Sequence, residues 1–132
     1  MTFAPRAAAR LVVTFAAALL AGSAAFAAPP ILISVTGGGA LAGPSGKTLY
    51  TYDKDVTGSG KSACNGGCAA NWPPFFAAST DTASSDYSIV TRDDGKRQWA
   101  YRGKPLYYFV KDEKPGDMTG DGMLGDWHVA KP

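Results

Sequence analysis

The chain has 132 residues, and its formal charge of +2 belongs to the leader: without Arg6 and Arg10 the basic and acidic residues balance. That balance excludes a nucleic-acid or anionic-membrane partner, since either needs a basic surface. The remainder has the size of one small domain with a thin stability margin, and it carries both cysteines, as an exported chain would.

In chain order, Arg6 and Arg10 form a positive start, Leu11 to Ala21 is an uncharged apolar run, and Ala25-Phe26-Ala27 supplies small residues for a peptidase. Residues 1–27 are therefore predicted to be a cleavable signal peptide. The apolar run falls short of the ~20 residues that span a bilayer, so no transmembrane anchor is expected. Residues 28–132 follow as a single secreted β domain.

Within that domain the sequence nearly repeats itself at an offset of 57 residues. Gly46-Lys47-Thr48-Leu49-Tyr50-Thr51-Tyr52-Asp53-Lys54-Asp55 aligns without a gap on Gly103-Lys104-Pro105-Leu106-Tyr107-Tyr108-Phe109-Val110-Lys111-Asp112, with six of ten positions identical. Such a self-match marks a duplicated supersecondary unit. At the same offset Leu32-Ile33-Ser34 faces Ile89-Val90-Thr91, and Gly38 faces Gly95. Repeat one covers about 30–76, a Ser/Thr/Ala/Asp-rich linker about 77–86, and repeat two about 87–132.

Each repeat reads as two β segments, Gly-containing turns and an aromatic strand. In repeat one Thr36-Gly37-Gly38-Gly39 is a turn, and Ala40 to Pro44 is a weak, glycine-interrupted strand. In repeat two Arg97 to Tyr101 alternates, Arg102-Gly103-Lys104 turns, and Pro105 to Val110 returns, which is a hairpin pattern. At most a short turn of helix is expected near Cys64 to Asn71. The fold class is thus all-β: two three-stranded repeats with pseudo-two-fold symmetry, forming a small sandwich or partly open barrel. The strand period puts Tyr50 with Tyr52, and Tyr107 with Phe109, on one face of their strands, either packed in the core or exposed as a stacking platform.

These residues resemble the bacterial secreted-repeat proteins, often lipoproteins, that carry a Yx(FWY)xxD motif. Tyr50, Tyr52 and Asp55 match it, as do Tyr107, Phe109 and Asp112. Cys64 to Cys68 leading to Trp72-Pro73-Pro74, Asp94 to Trp99, and Pro115-Gly116-Asp117 through Gly125 to Val129 are similar to the same pattern. The resemblance implies a β-rich protein of the envelope or exterior, with no established activity. Leu20-Ala21-Gly22-Ser23 resembles a lipobox with serine where the lipid-bearing cysteine belongs. A serine hydroxyl cannot take that thioether, so the chain is expected not to be lipidated and to be periplasmic or secreted.

Cys64 and Cys68 are too far apart for a redox or haem CxxC and too few for zinc, so a short-loop disulfide is expected. Asp55 and Asp112 end equivalent strands and read as turn carboxylates; a general acid/base pair is the competing reading. In the last loop, Asp117, Met118, Asp121, Met123 and His128 include part of a calcium-loop pattern and a thioether–imidazole set suited to copper. With one histidine in the chain, no nucleophile–base constellation can be named. The expected function is a non-enzymatic module binding an unidentified ligand or envelope partner without a cofactor. The alternative is an extracytoplasmic calcium- or copper-binding protein using Asp117–His128.

Overall fold

Two glycine-closed hairpins set the framework in the computed structural model, which describes residues 33–132 together with Thr2 and Ala4. The expected signal peptide and Ser23 lie outside the described residues. In the first hairpin β1 (Ser34–Val35) pairs antiparallel with β2 (Leu41–Ala42). In the second, β4 (Tyr87–Thr91) pairs with β5 (Arg97–Tyr101). Gly39 (φ 81) and Gly95 (φ 82) occupy the same left-handed position, where a side chain would be strained. The Thr36 amide donates to the Ala40 carbonyl, and Arg92 to Lys96, closing the two turns alike.

The hairpins differ in length, and this corrects the gapless alignment upstream of the aromatic strands. The Leu41 carbonyl accepts from the Leu49 amide as that of Trp99 accepts from Leu106, so Leu41 and Trp99 are equivalent. Val35 pairs with Leu41 and Ile89 with Trp99, so Ser34 corresponds to Ser88, not Thr91. Gly39, not Gly38, is the counterpart of Gly95. The second hairpin is extended by the pairs Val90–Gln98 and Thr91–Arg97.

The aromatic strand of repeat one is β3 (Tyr50–Tyr52). In the matching stretch of repeat two only β6 (Lys104–Pro105) is regular strand, shorter than the expected Pro105 to Val110. Beyond it the chain divides its hydrogen bonds among several partners: Leu106 binds Trp99 and Phe75, Tyr107 binds Tyr50, and Tyr108 donates to Pro73. The amide and carbonyl of Tyr50 and Tyr107 bond reciprocally, at 2.8 and 3.0 Å, so the pseudo-two-fold axis passes between these equivalent residues.

Each repeat ends inside the other. The last strand, β7 (Trp127–Val129), pairs with β3 of repeat one. The corresponding end of repeat one, Pro74 to Phe76, bridges to Tyr107 and Gln98 of repeat two. The Ala130 amide donates to the Leu49 carbonyl as the Phe75 amide does to that of Leu106. The result, among the described residues, is antiparallel sheets of two, two and three strands, none closed into a barrel, with one short α-helix, α1 (Gly67–Asn71), and a 3-10 turn at Met123–Gly125. The fold is mostly strand, and the two-repeat reading accords with it.

The exchange builds the core. Trp72 and Trp127 stack face to face on the axis, centroids 3.8 Å apart and planes at 3°. Tyr52 lies on the outer face of Trp127 and Phe109 on that of Trp72, each at 4.2 Å, making a four-ring column. Tyr50 meets Trp72 edge-on, and Tyr107 meets Trp127 the same way. Such pairs contribute about 0.5–1.5 kcal/mol each beyond area burial. Gly120 lets the chain close on this column, since a Cβ there would fall 2.6 Å from the Trp72 ring. The opposite faces of the central strands bury Leu41, Leu49, Phe75, Trp99 and Leu106 in a second cluster. The motif aromatics therefore pack the interior, and the exposed-platform alternative is overturned for them.

Candidate functional site

The motif residues of the two repeats meet in crossed pairs. The Tyr50 hydroxyl donates to Asp112 Oδ2 at 2.6 Å, and the Tyr107 hydroxyl donates to Asp55 Oδ2 at 2.6 Å. Asp112 is buried, and its other oxygen accepts from the Thr119 amide and hydroxyl. Asp55 Oδ1 accepts from the Ala63 amide. Burial pushes the Asp55 carboxyl above its ordinary value, against the pull of these donors. Burial first, and the carboxylate partner second, holds both phenols above the usual tyrosine range. Each carboxylate thus locks the loop of its own repeat onto the tyrosine of the other.

Cys64 and Cys68 form a disulfide, with Cα atoms 5.2 Å apart. The loop it closes presents the Cys64 carbonyl and Ser62 hydroxyl to Arg92, a buried guanidinium that also bonds Gln98.

The five metal candidates are engaged separately. Asp117 accepts from the Glu113 and Lys114 amides, which holds its carboxyl below the usual range. Asp121 Oδ1 accepts from the Val129 amide. Met118 lies over Gly38, and Met123 packs against the Trp–Tyr cluster. His128 Nε2 is 2.7 Å from Asp53 Oδ2. Among the described residues no group of three or more His, Cys, Asp or Glu side chains is placed to hold an ion.

The His128–Asp53 pair was not anticipated. It sits in a groove of about 340 Å³ between β3, β7 and the β5–β6 turn, lined by Thr51, Asp53, Arg102, Lys104, His128 and Lys131 over a floor that includes Tyr101, Val129 and Ala130. Strand alternation in β7 buries Trp127 and Val129 and turns His128 outward. In the same register Thr51 is the cross-strand partner of His128, with Asp53 two residues further on, just past the end of β3. His128 and Asp53 are both about half exposed, with side-chain exposures of 47% and 54%.

Arg102 reaches the groove from an unfavourable backbone. Arg102 (φ 47) and Gly103 (φ 81) are both left-handed, as a two-residue hairpin turn requires, and Asn is the usual occupant of the first position. Arginine there costs about 1–2 kcal/mol. Its guanidinium lies 5.0 Å from the Tyr101 ring centre and 3.6 Å from Asp86. Among the described residues Lys104 and Lys131 have no carboxylate within 4.0 Å.

The symmetry axis supplies a control. The equivalent groove is lined by Ser45, Lys47, Pro73, Tyr108, Phe109 and Val110. Tyr108 stands where Thr51 does, Val110 replaces Asp53, and Pro73 takes the place of His128. The axial tryptophans and the tyrosine–aspartate pairs are thus duplicated, and each groove keeps a lysine (Lys104 and Lys47), while only the first groove also carries Asp53, Arg102 and His128. Position-by-position subtraction of the repeats would have flagged Thr51 and Asp53. Only the β3–β7 pairing brings His128 to them.

No helix among the described residues is long and apolar enough to cross a membrane. Comparison with curated proteins and with solved structures found no match to this chain. A family model does match it twice, over residues 32–75 and 88–131, and the chain therefore belongs to the family described as a secreted repeat of unknown function.

Proposed function

We propose that this is a non-enzymatic binding module of the periplasm or exterior, unlipidated because Ser23 stands at the lipobox position, that holds its ligand or envelope partner in the Asp53–His128 groove. The observation that carries the reading is the divergence of two symmetry-related grooves around one preserved interior. The stacked tryptophans and the tyrosine–aspartate pairs were kept in both copies, as was one groove lysine, whereas Asp53, Arg102 and His128 were built in one. Arg102 supports the same reading, because stability alone would favour Asn or Gly at its left-handed position. The groove contains a carboxylate–imidazole pair and one hydroxyl, that of Thr51, which makes no hydrogen bond to His128, and neither serine nor cysteine lines it. Binding accounts for it without a reaction.

The test is a nuclear magnetic resonance titration of the exported protein with a fractionated envelope extract. Shifts confined to the amides of Thr51, Asp53, Lys104 and His128, and lost in His128→Ala, are expected. Shifts centred on Tyr108 and Val110 instead would refute the assignment. Turnover of an ester or glycoside panel that depends on His128 would refute the non-enzymatic part.

A further inference from the structure

We infer that the ionic groove takes a single hydroxylated anion, a sugar residue bearing a carboxylate or a phosphate; this rests on the groove being the binding site. Three cations, Arg102, Lys104 and Lys131, line the groove with one carboxylate, Asp53, which is already hydrogen-bonded to His128. Asp86 pairs with Arg102 at 3.6 Å from outside the lining, and Lys104 and Lys131 have no carboxylate within 4.0 Å among the described residues. The local excess is positive in a domain that is neutral as a whole, so an anion is favoured there. The Arg102 guanidinium lies over the Tyr101 ring and beside Asp86, and its fork matches a carboxylate or phosphate in two-point geometry.

A bare anion would leave the rest of the site unused. Asp53 Oδ1 and the Thr51 hydroxyl have no hydrogen-bond partner among the described residues and are solvent-accessible, so both are free to bond a ligand that brings hydroxyl groups. Asp53 would repel an anion that offered it no donor. The same carboxylate becomes a selectivity element when the ligand supplies an O–H. A volume of about 340 Å³ is near the lower end for small-molecule sites and suits one sugar ring.

The experiment titrates the exported protein with glucuronate, glucose 6-phosphate, glucose, acetate and inorganic phosphate, reading the groove amides. Glucuronate or glucose 6-phosphate should bind at least about tenfold more tightly than glucose and than the corresponding simple anion. Which of the two binds identifies the anionic group. Lys104→Gln with Lys131→Gln should keep the melting temperature and weaken binding about tenfold, flattening its salt dependence. Asp53→Asn should erase the preference for the hydroxylated anion over the simple one. Equal binding of glucose and glucuronate, or of acetate and glucuronate, overturns the inference. If no probe moves these amides at about 10 mM while an envelope fraction does, the sugar-anion assignment falls and the groove remains the binding site. If neither moves them, both fall.

Discussion

Repeat one closes the loop after its aromatic strand with the Cys64–Cys68 disulfide, whereas repeat two closes the corresponding loop with Asp121, whose carboxylate accepts the Val129 amide. The turns themselves match: the Cys68 amide donates to the Asn65 carbonyl as the Gly125 amide does to that of Gly122. Both loops then deliver a tryptophan to the same stack, Trp72 from one side and Trp127 from the other. Two unrelated fasteners therefore serve one geometric requirement. What the duplication preserved is the position of the indole and the tyrosine–aspartate lock. The covalent means of holding them and the chemistry at the rim were free to change.

The strongest way to break the comparison is at the axis. Trp127→Ala removes the inner neighbour of Tyr52 and the partner of Trp72, and should cost about 3–5 kcal/mol, enough to unfold a domain this small. Trp72→Ala should cost the same. Denaturant titration checks this, and a variant that lost less than half as much would show that the two ends of the stack are not equivalent.

The crossed hydrogen bonds sharpen it next. Tyr50→Phe strips a donor from buried Asp112 and should cost about 1.5–3 kcal/mol. Tyr107→Phe, opposite the less buried Asp55, should cost less. The same pair sets the alkaline limit. Both phenols are held above their ordinary value in the folded state, so the folded chain keeps protons that the unfolded chain releases above a pH of about 10. The stability these phenols provide is complete below that pH and is lost as pH rises toward the folded values. Phenolate absorbance should therefore show Tyr50 and Tyr107 ionising only with unfolding.

The fasteners come third. Cys64→Ser with Cys68→Ser should cost about 2 kcal/mol, the chain-entropy value for so small a ring. Asp121→Ala, which forfeits one hydrogen bond, should cost about 1 kcal/mol. Thermal melts of the two variants decide whether the disulfide loop is the more dependent half. Arg102→Asn should raise stability by up to about 1 kcal/mol while weakening the ionic groove, separating the folding and binding demands at one position. The smallest expected effect is that of added calcium or copper: the scattered Asp117, Met118, Asp121, Met123 and His128 side chains predict no change in melting temperature.

The repeat, the strand alternation and the turns were written in local sequence. Tyr50 and Tyr52 had to share a face because strands have a period of two. Arg102-Gly103 had to turn because only a left-handed pair closes so short a loop. The disulfide was legible from spacing, since three residues between Cys64 and Cys68 suit a small ring better than a redox or haem motif. Local rules could not say that each repeat finishes inside the other. They also could not say that Tyr50 reaches for the aspartate of the far repeat, or that His128 stands beside Asp53, 75 residues away. Those facts depend on which strand edge each segment finds once both halves bury their rings together. The long-range choice is fixed by the Trp72–Trp127 stack, which neither half can make alone.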